Sequence, residues 1–273
     1  MCGTCGCAVP GDHRVHAHGP HGDHEHRHQH PEAREPASGE AVAVLTRLLD
    51  ANDREAAHNR EHLDEQGVLA VNLMSSPGAG KTRLLEATID ALAGRLRVAV
   101  IEGDLETEND ARRIRAKGVP AVQITTGTAC HLDAHMVHEA LHEIDLGTVD
   151  ILFIENVGNL VCPAAFDLGQ HLNVTLLSVT EGADKPAKYP VMFRASDLLL
   201  LTKTDLLPVI DDFDPQAARS HFRALANPAP VFQVSAKQPE TLAPWIAWLE
   251  IQRAHRRAAL RSRSQPQAWP ATA

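Results

Sequence analysis

The stretch Leu69–Ile89, LAVNLMSSPGAGKTRLLEATI, decides the fold. An apolar run rich in Val and Leu ends at Ser75, a turn of Gly and Pro follows, and an amphipathic stretch begins at Lys81. The pattern is strand, tight loop, helix. Within it Ser75–Thr82, SSPGAGKT, carries the GK[ST] ending of a phosphate-binding loop, with Ser75 where the first glycine is usual. Glycines let backbone N–H groups turn toward phosphate oxygens, and the helix N-terminus adds partial positive charge. Lys81 would reach the β- and γ-phosphates and the Thr82 hydroxyl would sit on Mg²⁺, with Gly78, Ala79, Gly80 and Arg83 completing the cradle. A Gly-rich turn with no ligand is the competing reading.

Outward from this loop the same alternation continues. RVAVIEGD, AVQITTG, ILFIENVG, VTLLSVTEG, DLLLLTKTD and PVFQVSA are further apolar runs, separated in several places by amphipathic stretches such as LDAHMVHEALHEI. Continuous apolar strands between helices predict an α/β domain of the P-loop type. Its sheet is expected to be mostly parallel, about seven-stranded and covered by helices on both faces. The expected boundaries are a Cys/His-rich arm over 1–36, disordered without metal, and a helical segment over 37–66 that ends at Gly67 as one or two helices. The nucleotide-binding domain would span 67–252, and a disordered basic tail 253–273.

Composition narrows the function classes. The chain has 273 residues, 44% hydrophobic, with a formal net charge of −9. That charge argues against general nucleic-acid binding. RAHRRAALRSRS, near the C-terminus, is the one cationic run and reads as the end of a helix. No run approaches the 18 or so apolar residues of a membrane span, and no basic segment followed by an apolar one opens the sequence. A cytoplasmic protein is expected, and its five cysteines are then expected as thiols rather than disulfides.

Two more loops point to a nucleotide. ENVG, Glu155–Gly158, ends a buried run and resembles the DxxG loop that senses a γ-phosphate, with Glu in the acid's place. TKTD, Thr202–Asp205, resembles the NKxD guanine reader, with Thr202 where Asn is usual. A carboxylate at Asp205 can accept from guanine N1–H and N2–H₂, donors that adenine lacks. Thr202 keeps ATP open as an alternative. SAK, at Ser235–Lys237, follows the last apolar run, where backbone at Ser235 and Ala236 would meet the base.

Thiols and imidazoles are concentrated in two places. MCGTCGC places Cys2, Cys5 and Cys7 at the start, and eight histidines follow between His13 and His30. Disulfides, a processed leader, a purification artefact and a metal site are the readings this stretch raises, and the cytoplasmic expectation disfavours the first. An expression tag is the bland alternative for the histidines. Inside the domain, Cys130 and His131 are expected at the start of a helix that carries His135, His138 and His142, with His131 and His135 on one face. Cys162 follows Gly158 by four residues. Cys130, His131 and Cys162 are candidate ligands for Zn²⁺ or Ni²⁺, too few to close a structural zinc site unless a second copy adds more. A structural cysteine beside surface histidines is the alternative reading.

With these residues assembled, the sequence resembles the HypB family, nickel-incorporation GTPases of the SIMIBI class. The likeness runs through MCGTCGC, the His-rich arm, NLMSSPGAGKT, EGDLETENDA, TGTACHLDAHMV, FIENVGNLVCP, VTEGADKPAKYPVMF and TKTDL. It implies GTP hydrolysis to GDP coupled to nickel delivery for [NiFe]-hydrogenase, with GTP-dependent homodimers that share a metal site. It implies partners in a hydrogenase maturation protein and the hydrogenase large-subunit precursor, and neither nucleic acid nor membrane. Residue by residue, it assigns Lys81, Asp104 and Glu155 to catalysis and Thr82 and Asp104 to Mg²⁺. Gly158, Lys203 and Asp205 fall to the nucleotide, and Cys130, His131 and Cys162 to the inner metal, with His135 an added ligand in dinuclear forms. Cys2, Cys5 and Cys7 match the second metal site. A nickel or zinc store or sensor with a regulatory nucleotide site, and the related urease-activating GTPases, stand as alternatives.

Overall fold

The computed structural model describes residues 38–104, 109–127 and 129–264. The arm with Cys2, Cys5, Cys7 and its histidines lies outside the described residues, as do 105–108 and 265–273. The chain divides into two compact units, 1–48 and 49–273. Of the first, the described part is the opening of helix α1 (Ser38–Glu65); the second holds the remainder of α1 and everything after it. Among the described residues one helix, not two, precedes the first strand. It stops where Gly67, at φ +67°, donates its N–H to the Asp64 carbonyl.

Seven strands follow: β1 (Leu69–Ser75), β2 (Val98–Asp104), β3 (Ala121–Thr125), β4 (Ile151–Glu155), β5 (Leu172–Ser178), β6 (Leu198–Thr202) and β7 (Val231–Gln233). They form one sheet in the order β3-β2-β4-β1-β5-β6-β7, and every pairing is parallel. The expected "mostly parallel" sheet is thus wholly so. Parallel strands need crossovers on the sheet faces, which explains why β1 is buried along its whole length and is apolar but for Asn72 and the terminal Ser75.

Alternate residues of β1 serve opposite faces. Leu69, Val71 and Leu73 pack with Leu84, Leu85 and Leu92 of α2 (Lys81–Leu92) and with Trp245 and Leu249 of α8 (Ala243–Ser264). Ala70 packs with Leu63 of α1 and with Val137 and Leu141 of α4 (Ala134–His142) on the other side. The remaining helices are α3 (Asn109–Arg115), α5 (Lys185–Lys188), α6 (Pro190–Arg194) and α7 (Pro215–Arg223). Phe193 and Phe222 of α6 and α7 close a third cluster under β5, β6 and β7.

The expectation of a disordered tail from 253 is corrected: α8 is helical to Ser264. Its basic residues are anchored by acids distant in sequence. Arg253 pairs with Asp150, and Arg256 Nε donates to Asp64 at 2.8 Å. No helix among the described residues is long and apolar enough to cross a membrane.

Candidate nucleotide and metal site

Parallel α/β sheets collect ligands at the carboxyl ends of their strands, where neighbouring connections leave in opposite directions. Here β1, β2 and β4 end together around a cavity of about 360 Å³, lined by the Pro77–Arg83 loop, Glu102–Asp104, Asp110, Arg113 and Glu155–Gly158. Gly78 and Gly80 take φ +75° and +96°, which side chains with a Cβ rarely adopt, and Gly80 caps α2. Lys81 is buried and donates to Ser75 Oγ at 3.1 Å. The hydroxyl at Ser75 therefore supplies an acceptor that a glycine could not.

Two carboxyl groups form the floor. Glu155 ends β4 and is register partner of Glu102 on β2, so both project from adjacent strands at one level. Thr82 Oγ1 donates to Glu155 Oε1 at 2.9 Å. Glu102 Oε1 and Glu155 Oε2 are buried with no hydrogen-bond partner. Burial, then the neighbouring Glu155 charge, pushes the Glu102 carboxyl up to about 11, and burial raises Glu155 as well. Two like charges in a dry site cannot both persist without a cation. Glu102 escaped sequence reasoning. The signal was an acid two residues before the end of VAVIEGD, in a strand apolar up to that point and covered on both faces.

The TKTD loop braces the phosphate loop. Thr202 Oγ1 donates to the Ala79 carbonyl at 2.7 Å, and Lys203, at φ +58°, donates from Nζ to the Gly78 carbonyl at 2.7 Å. Thr202 thus holds the cradle with a hydroxyl where an Asn amide was expected. Beyond it, Asp205 Oδ1 accepts from Ser235 Oγ at 2.6 Å and Oδ2 lies 3.6 Å from Lys237 Nζ. The Ser235 bond, helped by the Lys237 charge, keeps the Asp205 carboxyl below its ordinary range. An ionised acceptor is therefore held beside the Ser235–Ala236 backbone.

The ENVG loop lies hard against the phosphate loop. A Cβ on Gly158 would meet Pro77 Cα at 2.8 Å, closer than real contacts allow. Asn156, fully buried, accepts the Leu132 N–H at 3.2 Å and donates to Asn72 at 3.3 Å. On the strand side, a Cβ on Gly103 would meet Leu132 at 2.8 Å.

Leu132 adjoins the thiols. Cys130 Sγ lies 3.3 Å from Cys162 Sγ and 3.8 Å from His131 Nδ1, and one ligand atom from each of the three residues falls within 4.8 Å of the others. All three are half-buried. His131 stacks on Phe166 with centroids 4.0 Å apart, and burial lowers its pKa, which keeps the imidazole in the neutral form that metals bind. Asn159 donates to the Cys130 carbonyl at 3.3 Å and fixes the loop.

The placement of His131 on a helix is corrected. Helix α4 begins at Ala134, because Asp133 caps it by accepting the Met136 N–H at 2.8 Å. His131 precedes the helix, so helical spacing to His135 does not apply. His135 is exposed and stands outside the triad of ligand atoms.

These features define a P-loop nucleotide-binding protein with a thiol–imidazole triad next to the loop that follows β4. Comparison with known proteins agrees. Residues 69–233 match the family model "CobW/HypB/UreG, nucleotide-binding domain". The chain is 56% identical over 209 residues to hydrogenase maturation factor HypB of Azotobacter vinelandii, covering 77% of this chain and 69% of that one. It is similar in structure to HypB from Helicobacter pylori in complex with nickel, with a TM-score of 0.72 and 40% identity over 80% of this chain and 99% of that one. Hydrogenase maturation factor HypB from Archaeoglobus fulgidus gives a TM-score of 0.70 and 37% identity, covering 75% and 100%. The chain belongs to the CobW/HypB/UreG family, on its HypB branch.

Proposed function

We propose that the chain is a GTP-hydrolysing nickel metallochaperone. It stores Ni²⁺ and delivers it for maturation of [NiFe]-hydrogenase, acting with a maturation partner on the large-subunit precursor. GTP binding pairs two copies across the metal triad. The observation that carries this reading is the continuity of Glu155–Cys162. Glu155 faces Thr82, Asn156 holds the backbone of Leu132, Gly158 abuts Pro77, and Cys162 is a ligand of the triad. Nucleotide and metal therefore act on one short segment. The relatives named hydrogenase maturation factors, one solved with nickel, supply the cargo and the pathway.

In this reading Asp205 selects guanine by accepting from its N1–H and N2–H₂, and Thr202 and Lys203 keep the phosphate loop in register. Lys81 and the loop N–H groups neutralise phosphate charge as it shifts to the leaving oxygen. Phosphoryl transfer depends chiefly on such positioning, so no side-chain base is required. The residues present fit Mg²⁺: Glu102 and Glu155 have buried, unpartnered oxygens beside the Thr82 hydroxyl, and Asp104 lines the same cavity. A bound Mg²⁺ would supply charge for the phosphates and let both carboxyls ionise. Arg83 sits at the cavity mouth.

The triad offers soft, neutral-or-anionic donors in a half-buried setting, which suits exchangeable Ni²⁺ or Zn²⁺. Three ligands leave a tetrahedral site one short, and a second copy would complete it. Exposed Val161, beside Cys162, gives that contact an apolar element.

GTP and ATP turnover, measured together with sedimentation in GDP and in a non-hydrolysable GTP analogue, tests the proposal. Turnover of GTP over ATP and dimers with the analogue alone are expected. Equal use of both nucleotides by a permanent monomer would overturn it.

A further inference from the structure

At the far end of α4 lies a group of imidazoles that the triad does not use. His138 and His142, one helical turn apart, stand with ring centroids 4.6 Å apart and planes at 88°, and their Nε2 atoms are 3.1 Å apart. On α1, also one turn apart, His58 lies 5.1 Å from the His138 ring and His62 lies 6.2 Å from the His142 ring, centroid to centroid. Four imidazoles on two packed helices thus form a block.

The surroundings fix its chemistry. Asn59, fully buried, donates from Nδ2 to the carbonyls of Ala134 and Leu168 at 2.8 and 3.1 Å. Its Oδ1 must then be the acceptor facing His138 Nδ1, at 3.0 Å. His138 therefore carries its proton on Nδ1, with Glu55 Oε1 a further 3.6 Å neighbour, and leaves the Nε2 lone pair aimed at His142. A ring nitrogen held by a buried oxygen, with the other presented outward, is the usual support of a metal-ligating histidine. The helix contact is itself rigid, since Asn52 Oδ1 accepts the Ala134 N–H at 2.9 Å and Asn52 Nδ2 donates to the Asp167 carbonyl at 2.8 Å.

We infer that this face of α1 and α4 is a further metal site, in which Nε2 of His138 and His142 bind one late first-row divalent ion and His58 and His62, near by ring centroid but not converged with them, enter its shell by side-chain rotation. Two nitrogens about 2.0–2.1 Å from a common ion subtend about 2.9–3.4 Å at right-angle to tetrahedral geometry, and the observed separation lies in that range. Imidazole donors without thiolate favour Ni²⁺, Cu²⁺ or Zn²⁺ and disfavour Mg²⁺. The site stands about 6–12 Å along α4 from the end nearest the triad. It does not depend on a nucleotide.

Equilibrium dialysis of the full chain against Ni²⁺ alone, with bound metal counted by elemental analysis, tests it against two variants. His138→Asn/His142→Asn should bind one equivalent fewer, with its thiolate-to-nickel absorption and its metal-free unfolding midpoint unchanged. His58→Asn/His62→Asn, altered at the α1 side, should require roughly tenfold more free nickel to fill the same equivalent. If the α4 variant keeps that equivalent, or the α1 variant binds as the parent does, the site does not exist.

Discussion

The two edges of the sheet treat acids in opposite ways. At the edge where strands begin, Asp150 accepts from the Arg97 backbone and side chain at 2.9 and 3.1 Å and also pairs with Arg253. Burial works to raise its carboxyl, but the Arg97 and Arg253 bonds outweigh it and hold the group well below the usual range. Asp64 is paired by Arg256 and by His171, whose Nδ1 accepts the Ala70 N–H at 2.9 Å. At the edge where strands end, Glu102 and Glu155 face each other with an oxygen each unpartnered. One edge pairs each acid with a base and serves stability. The other is left wanting, and the deficit marks where a cation and phosphates would be completed.

This contrast can be broken by experiments on either edge. Lys81→Ala should lower GTP turnover roughly a hundredfold or more while the unfolding midpoint stays near the parent's, because its charge acts on phosphate rather than on the fold. Asp150→Ala should do the reverse, costing about 1–3 kcal/mol in urea unfolding by leaving the largely covered Arg253 and the Arg97 backbone N–H without their acceptor, with turnover per folded molecule preserved. A large turnover defect in the Asp150 variant would mean that the edges are not separable.

The pH dependence follows from His171. Burial, then the Arg256 charge, lowers its pKa to about 4. The unfolded chain takes up this proton near pH 6.5 and the native state refuses it, so stability falls as pH drops from about 6.5 to 4. The full loss is on the order of 3 kcal/mol. Urea titrations in chelator at pH 7.5, 6 and 5 should show this slope, flattened in His171→Gln. Identical slopes would show that His171 is protonated in the native state.

Smaller effects sharpen the functional edge. Gly158→Ala forces a Cβ against Pro77 and should weaken nucleotide binding by about 1–3 kcal/mol, read by competition with a fluorescent GDP. Glu102→Gln keeps the size of a carboxyl whose burial favours the neutral form, so the unfolding free energy should fall by no more than about 1–3 kcal/mol, the cost of one unsatisfied buried amide. The same variant should lose Mg²⁺-dependent turnover. A larger loss of stability would contradict the assignment of Glu102 as neutral.

Much of this was legible in the sequence because its signals are local. The phosphate loop, the apolar runs and the acids and thiols at strand ends are each contained in a few residues. What escaped depends on distant partners. Arg253 and Arg256 fell in the expected disordered tail until Asp150 and Asp64 met them. Glu102 lay inside an apolar run, visible only as an anomaly. Asp133 moved the helix start past His131, a competition between cap and periodicity that spacing alone does not decide. The meeting of His58 and His62 with His138 and His142 requires the packing of two helices some eighty residues apart, as the Asn59–His138 contact records.

The claim that nucleotide and metal act through one segment is tested most directly by a Ni²⁺ titration of the full chain carrying Cys2→Ser, Cys5→Ser and Cys7→Ser. Cys130 and Cys162 are then its remaining thiols, and thiolate-to-nickel absorption reports the triad alone. With Mg²⁺ present, GDP and a non-hydrolysable GTP analogue should give affinities that differ by about 1–3 kcal/mol. Coincident curves in the two nucleotides would contradict the account and leave two independent sites on one fold.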